Sequence, residues 1–285
     1  MRPREPERGF SVIELMVSLA VAGVALASVA TFFSQQTRRQ QGQSYRVEVQ
    51  QALRTSLDTI TRDIRLAGAC LPGSGQFVSF QATDDPNGDS LTIRSGVAKD
   101  DFSCLVAPLT AQLNSGTRTA QVTNGTSSGF TSGMYVYLCD TANVNGQYSY
   151  ITSVTPGGGG GADTIVLQDS ANINYFANNA AIHAVDERRY SLDRSDPTRP
   201  MLMLTVNGGT PEAFAVGMNS LQFRYRLNQN CPACTIVTLP PDAATWFLVN
   251  EVLVTATVQS VGAVRPQDNV MLTQSTRAKP RNLLQ

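Results

Sequence analysis

The sequence predicts an α+β protein: one long N-terminal α-helix, membrane-spanning in its first half, packed on a mostly antiparallel β-sheet head. Three observations carry this. An apolar run, "FSVIELMVSLAVAGVALASVATFF" (Phe10–Phe33), leads into a polar tract whose apolar residues recur at steps of three and four. Beyond Gly68 the pattern switches to short alternating runs. Gly, Ser, Thr and Asn are plentiful there, which favours short strands joined by turns over a helical bundle.

The apolar run comes first. As a helix, Phe10–Phe33 spans about 36 Å, enough to cross a hydrocarbon core of ~30 Å with slight tilt. It admits three readings. One is a plain signal anchor. Another is a cleaved secretory signal, since "ALAS" (Ala25–Ser28) and "SVAT" (Ser28–Thr31) each offer a small-x-small site. The third takes the short charged leader "MRPREPERG" together with Glu14, a carboxylate that is costly in lipid unless paired or protonated. Orientation does not follow from charge, because Arg2, Arg4 and Arg8 before the run are balanced by Arg38, Arg39 and Arg46 after it. Small residues four apart, Ser18 with Ala22 and Gly23 with Ala27, let helix backbones approach closely.

The polar tract, Ser34–Ala67, continues the helix. Tyr45, Val49, Leu53, Leu57, Ile60, Ile64 and Ala67 form one amphipathic stripe, and Gly68 is a C-terminal stop. Gly42 loosens the junction by roughly 1 kcal/mol relative to alanine.

The head begins at residue 69. Strand candidates are "FVSF", "SLTIRS", "MYVYLC", "YSYITSV", "DTIVLQ", "RRYSLD", "MLMLTV", "LQFRYRL" and "WFLVNEVLVTATVQS", the last starting at Trp246 and Phe247. Leu221, Phe223, Tyr225 and Leu227 alternate with Gln222, Arg224 and Arg226, as a half-buried strand requires. Residues of about 70–180 form an extra β lobe. "PGGGGG" (Pro156–Gly161) is a hairpin tip rather than a phosphate cradle, because no helix start follows it.

Composition and motifs narrow the function classes. The 22 basic and 22 acidic residues balance, which implies no pull toward nucleic acid. His183 is the one histidine, so any Ser–His–Asp or Cys–His chemistry would depend on it, and a lone strand histidine reads as structural. All five cysteines follow the apolar run, where export would permit disulfides. The odd count leaves a thiol over. "CPAC" (Cys231–Cys234) lies between strands and reads as a short disulfide staple; Cys70 with Cys104 is a second candidate bridge. "DDPNGDS" (Asp84–Ser90) lacks the glycine and glutamate of a calcium loop at the required positions and reads as a polar turn. No metal, cofactor or nucleotide site is expected.

Taken in order, Gly9, the aromatic Phe10, "SVI", Glu14 and the apolar run resemble the class III signal of type IV prepilins. In that family a prepilin peptidase cuts after the glycine and methylates the new N-terminal residue. The resemblance implies a cut between Gly9 and Phe10, N-methylation of Phe10, and Glu14 as the fifth residue of the mature chain, where it guides assembly. "LDTITRDIRLAGA", "PEAFAVGMNSLQFRYRL" and "NEVLVTATVQS" are similar to segments of PilW-type minor pilins, and less closely to the J-type minor pseudopilin of type II secretion. The resemblance implies a non-enzymatic, pilin-like subunit of a type IV pilus, held in the inner membrane with its head in the periplasm and then assembled, in a tip complex, on the cell surface. Its implied partners are the major pilin, other minor pilins, the prepilin peptidase, the inner-membrane assembly platform, a tip adhesin and, before assembly, membrane lipid. Two rival readings stay open at this point: a type II secretion pseudopilin, and a signal-anchored exported β-domain enzyme or binding module.

Overall fold

The computed structural model describes residues 11–72, 78–85, 88–140, 145–177, 179–227, 236–262 and 269–280. Helix α1 (Val12–Leu66) runs unbroken for 55 residues, about 82 Å, and passes straight through Gly42. It is followed by β1 (Phe80–Thr83), β2 (Ser90–Gly96), β3 (Val106–Pro108), β4 (Thr119–Val122), β5 (Tyr135–Asp140), β6 (Asn145–Thr155) and β7 (Asp163–Leu167). The long β8 (Ala180–Asp193), β9 (Met201–Val206), β10 (Glu212–Val216), β11 (Met218–Leu227) and β12 (Ile236–Val237) come next. A single helical turn, α2 (Ala243–Trp246), precedes β13 (Val249–Gln259) and β14 (Met271–Ala278). The chain is thus a long N-terminal apolar helix followed by an antiparallel β head, the α+β, pilin-like arrangement expected.

Among the described residues the strands form two sheets. A four-stranded sheet has the order β12-β11-β13-β14, and a ten-stranded one runs β1-β2-β8-β5-β6-β7-β4, with β3, β9 and β10 joined to it through β8 and β9. All of the pairings are antiparallel.

The helix stripe packs where its periodicity directs it. Val49, Leu53, Leu57, Ile60, Ile64 and Ala67 are all buried, against β13 and β14 and beside β10 and β2. The facing residues come from strict alternation: Leu221, Phe223 and Tyr225 of β11, and Val252, Val254, Ala256 and Val258 of β13. Burying each large aliphatic side chain here stabilises the head by roughly 1.5–3 kcal/mol. On the other face of β13, Thr255 and Thr257 share hydrogen bonds with Ser275 and Thr273 of β14, at 2.9 and 2.8 Å. Solvent-facing hydroxyl pairs thereby close the sheet edge that the helix covers from inside.

A second buried cluster gathers residues between Leu105 and Ala184, including Leu109, Leu113, Val122, Leu138, Ile151, Ile165, Tyr175 and Ile182. Strand β8 belongs to both. Its first half pairs with β3 and β5 and sends Ile182 and Ala184 into the second core; its last half pairs with β2 and β9 and sends Tyr190 into the first.

Among the strand boundaries that differ from the sequence expectation, two lie beside the first core. Trp246 and Phe247 do not open β13, which begins at Val249. Asp242 accepts hydrogen bonds from the Thr245 amide (2.7 Å) and hydroxyl (2.6 Å), the pattern of a helix N-cap, and so turns the chain through α2 first. Trp246 still packs on the first core, edge-on to Tyr225 at 4.9 Å. "FVSF" contributes only Phe80 to β1, because Val78 and Ser79 lie before the first pair, Phe80 with Ile93.

The helix is also fastened to β8 by polar contacts. Asp63, on the flank of the apolar stripe, is 6% exposed and accepts a hydrogen bond from the Tyr190 hydroxyl at 2.6 Å; the Arg188 guanidinium lies 3.3 Å away. Burial, and then the bond to Asp63, push the Tyr190 hydroxyl well above its usual range, so it stays a donor. Replacing Tyr190 with phenylalanine leaves a buried carboxylate short of one partner. The expected loss is about 1.5–3 kcal/mol, read from the urea midpoint of the detergent-solubilised chain at unchanged slope.

Candidate assembly arm at the N-terminal helix

Among the described residues the first half of α1 is left uncovered by the rest of the protein. Every residue from Ser11 to Gln41 is exposed, including Val12, Ile13, Leu15, Met16, Val17, Leu19, Val21, Val24, Leu26, Phe32 and Phe33. The head starts at Tyr45, whose hydroxyl donates to the Gly262 carbonyl at 3.3 Å, and the first buried stripe residue is Val49. A bare greasy rod of this length is not stable in water. It needs lipid or other apolar helices around it.

Its polar atoms are prepared for such surroundings. Ser18 donates to the Glu14 carbonyl (2.6 Å), Ser28 to Val24 (2.8 Å), Thr31 to Ser28 (2.8 Å), Ser34 to Thr31 (2.9 Å) and Thr37 to Phe33 (2.9 Å). Hydroxyls bonded back onto their own helix require nothing from the medium. Gly23 has open space around it, room for a second helix to come close.

Glu14 is the exception. It lies in the first turn of α1, its side chain is exposed, and no described basic residue pairs with it. A first-turn carboxylate gains some stabilisation from the helix dipole, about 0.3–1 kcal/mol, less than the cost of holding it in hydrocarbon. Among the described residues no partner for it is present.

A family profile, the prokaryotic N-terminal methylation motif, matches residues 6–30. That segment is a type IV pilin-like prepilin signal carried on an apolar N-terminal helix. It includes Gly9 and Phe10, which lie outside the described residues, and Glu14 with most of the bare rod. No curated relative matches the chain. The methylation motif and, among the described residues, one helix long and apolar enough to cross a membrane fit an inner-membrane-anchored pilin or pseudopilin-like exported protein. The motif implies processing by a prepilin peptidase and assembly with other pilins, the pattern of a structural pilin-type protein.

The remaining sequence-predicted residues fall elsewhere. Cys70 and Cys104 form a disulfide, with Cα atoms 5.2 Å apart. The bridge joins the exit of α1 to the chain entering β3; Gly96 lies so close to the Cys70 backbone that a Cβ there would meet its carbonyl oxygen at 2.7 Å. Cys231 and Cys234 lie outside the described residues. Cys139 is a free, buried thiol pushed up to about 11 by burial, which keeps it protonated and inert. His183 lies in β8, held below the usual histidine range by burial, with its Nδ1 unpartnered. Asp89, in the polar turn between β1 and β2, accepts the Phe223 amide at 2.7 Å and so joins that hairpin to the other sheet. Among the described residues no group of three or more His, Cys, Asp or Glu is placed to hold a metal ion.

Sequence reasoning overlooked Asp63 as a helix–head contact. The clue was present: it stands next to Ile64 and one turn after Ile60 on the stripe's flank, where a solvated carboxylate is out of place. Its partners are 125 and 127 residues away, beyond the reach of any local pattern.

Proposed function

We propose that this chain is a minor pilin of a type IV pilus, a non-enzymatic subunit that primes or joins assembly in a complex at the pilus tip. The observation that carries the reading is the bare arm: a methylation-motif helix whose residues 11–41 are left exposed by the described head, joined to a large β head at the far end. In this scheme residues 1–9 are a cytoplasmic leader removed by the peptidase, 10–33 lie in the bilayer and later in the filament core, and 34–68 carry the head. The head, with an extra lobe over about 70–180, faces the periplasm and then the cell exterior. Its size favours a subunit used in few copies, since every copy of a bulk subunit must fit the same helical packing. The major pilin, other minor pilins, the assembly platform and a tip adhesin are the partners this role requires.

Sequencing the N-terminus of the mature protein tests the reading. The expected first residue is Phe10, methylated on its amine. A start at Met1, Ser28 or Thr31 would overturn it in favour of an anchored or secreted β-domain protein. In a deletion strain, loss of pili with enzyme export intact is the expected phenotype; the reverse would make the chain a pseudopilin.

A further inference from the structure

Beyond the apolar run the arm carries an unbalanced charge. From Leu15 to Val47 the sequence has no acidic residue and three basic ones, Arg38, Arg39 and Arg46. All three are exposed, Arg38 and Arg39 on the uncovered part of α1 and Arg46 just past the first head contact, and none is paired with a carboxylate among the described residues. Arginines that make no contact with their own head, on a helix that enters a membrane, have an obvious counter-charge in the membrane surface.

Position along the helix separates them. Phe32 and Phe33 close the apolar run, their rings edge-on at 6.2 Å. Taking Phe33 as the hydrocarbon boundary, Arg38 and Arg39 stand about 7.5 and 9 Å beyond it, and Arg46 about 20 Å beyond it. The polar layer on one side of a bilayer is about 5–8 Å deep. Arginine side chains at 38 and 39 therefore reach phosphates directly, whereas Arg46 lies well outside, at a distance where salt screens most of the attraction.

We propose that Arg38 and Arg39 form a collar that binds anionic phospholipid headgroups on the head side of the membrane and holds the subunit at a fixed depth until it is extracted. This rests on the arm spanning the bilayer. A guanidinium binds a phosphate diester through paired N–H donors, and an anionic headgroup such as phosphatidylglycerol adds the net charge that a zwitterionic one lacks. The collar also explains why positive charge is tolerated after the span, where the charge rule for orientation would not place it.

The test uses the full chain reconstituted into phosphatidylcholine vesicles containing a trace of spin-labelled phosphatidylglycerol or spin-labelled phosphatidylcholine. The readout is the fraction of each label immobilised by the protein. The expected result is a preference for phosphatidylglycerol at low salt that falls about fivefold or more in the Arg38→Gln/Arg39→Gln chain. Arg46→Gln should change the preference by less than about twofold, and high salt should remove it. The leader arginines are the same in every chain and cancel from the comparison. Equal immobilisation of both labels by the native sequence, or a preference that is undiminished in the double variant, overturns the collar. Resistance to alkaline carbonate extraction distinguishes the two levels: a chain that is extracted overturns the membrane span itself, whereas one that resists but lacks lipid preference overturns the collar alone.

Discussion

Replacing Glu14 with alanine should give a chain that is still processed and inserted, yet enters filaments about a hundredfold less efficiently or worse. The cut proposed above, between Gly9 and Phe10, would free an amine four residues before Glu14 in the sequence. In lipid both groups lie near the interface, where water and headgroups moderate their cost. In a packed bundle of apolar arms they are desolvated, and each is costly unless the other sign is adjacent. We assign the pairing to neighbouring subunits: the amine of an incoming arm meets the carboxylate of one already docked. Because the attraction is strong only at close range and out of water, it rewards one axial stagger over others. Leaving one member of a buried pair alone costs about 3–5 kcal/mol, which sets the size of the effect. Two measurements check it: the mass of the mature variant, which should show normal cleavage and methylation, and the amount of subunit in sheared pili. Incorporation within about twofold of the native chain would remove the carboxylate from the assembly account.

Loss of the Cys70–Cys104 bridge has the second largest expected effect. The bond closes a sequence separation of 34 residues. Restricting a loop of that size in the unfolded chain contributes about 4 kcal/mol in the chain-entropy picture, and measured values for such bridges are about 2–4 kcal/mol. The Cys70→Ser/Cys104→Ser chain is the appropriate variant, because a single replacement leaves a reactive thiol. Cys139 does not complicate the comparison, being buried and protonated. Trp246, packed on Tyr225 and Phe80, reports unfolding of the first core by fluorescence. A shift in ΔG of unfolding below about 0.5 kcal/mol would mean that the bridge is dispensable to the head.

Much of the fold was legible because its largest elements follow simple periods. The stripe from Val49 to Ala67 has helical spacing, and all six of its deeper members are buried. Strand β11 alternates strictly, and Leu221, Phe223, Tyr225 and Leu227 point inward. What escaped has physical reasons. Strand β14, "MLTQSTRA", has almost no apolar signal; it is held by backbone pairing and by hydroxyl pairs across to β13. Strand β8 was delimited as "RRYSLD", with His183 read as a strand residue but not joined to it, because Asp186 and Glu187 interrupt the pattern; it runs unbroken from Ala180. The turn at Asp242 had its capping signal, but a following run of apolar residues read more strongly as strand. Nor can local pattern foretell that β8 lies between β2 and β5. For the arm the balance is different: the methylation motif and its apolar helix were readable from local sequence, and the described residues 11–41 are exposed, with no buried packing to override it.

The sharing of β8 between two cores has a mechanical consequence. A filament transmits tension, and a lobe attached by a loose tether would swivel and yield first. Here a pull on the outer strands passes along one continuous strand, through its hydrogen bonds to β2 and β9, into the face that grips the helix, with the Cys70–Cys104 bond as a parallel strut. Force applied to the second lobe would therefore reach the helix-gripping face along a continuous hydrogen-bonded strand rather than through a linker.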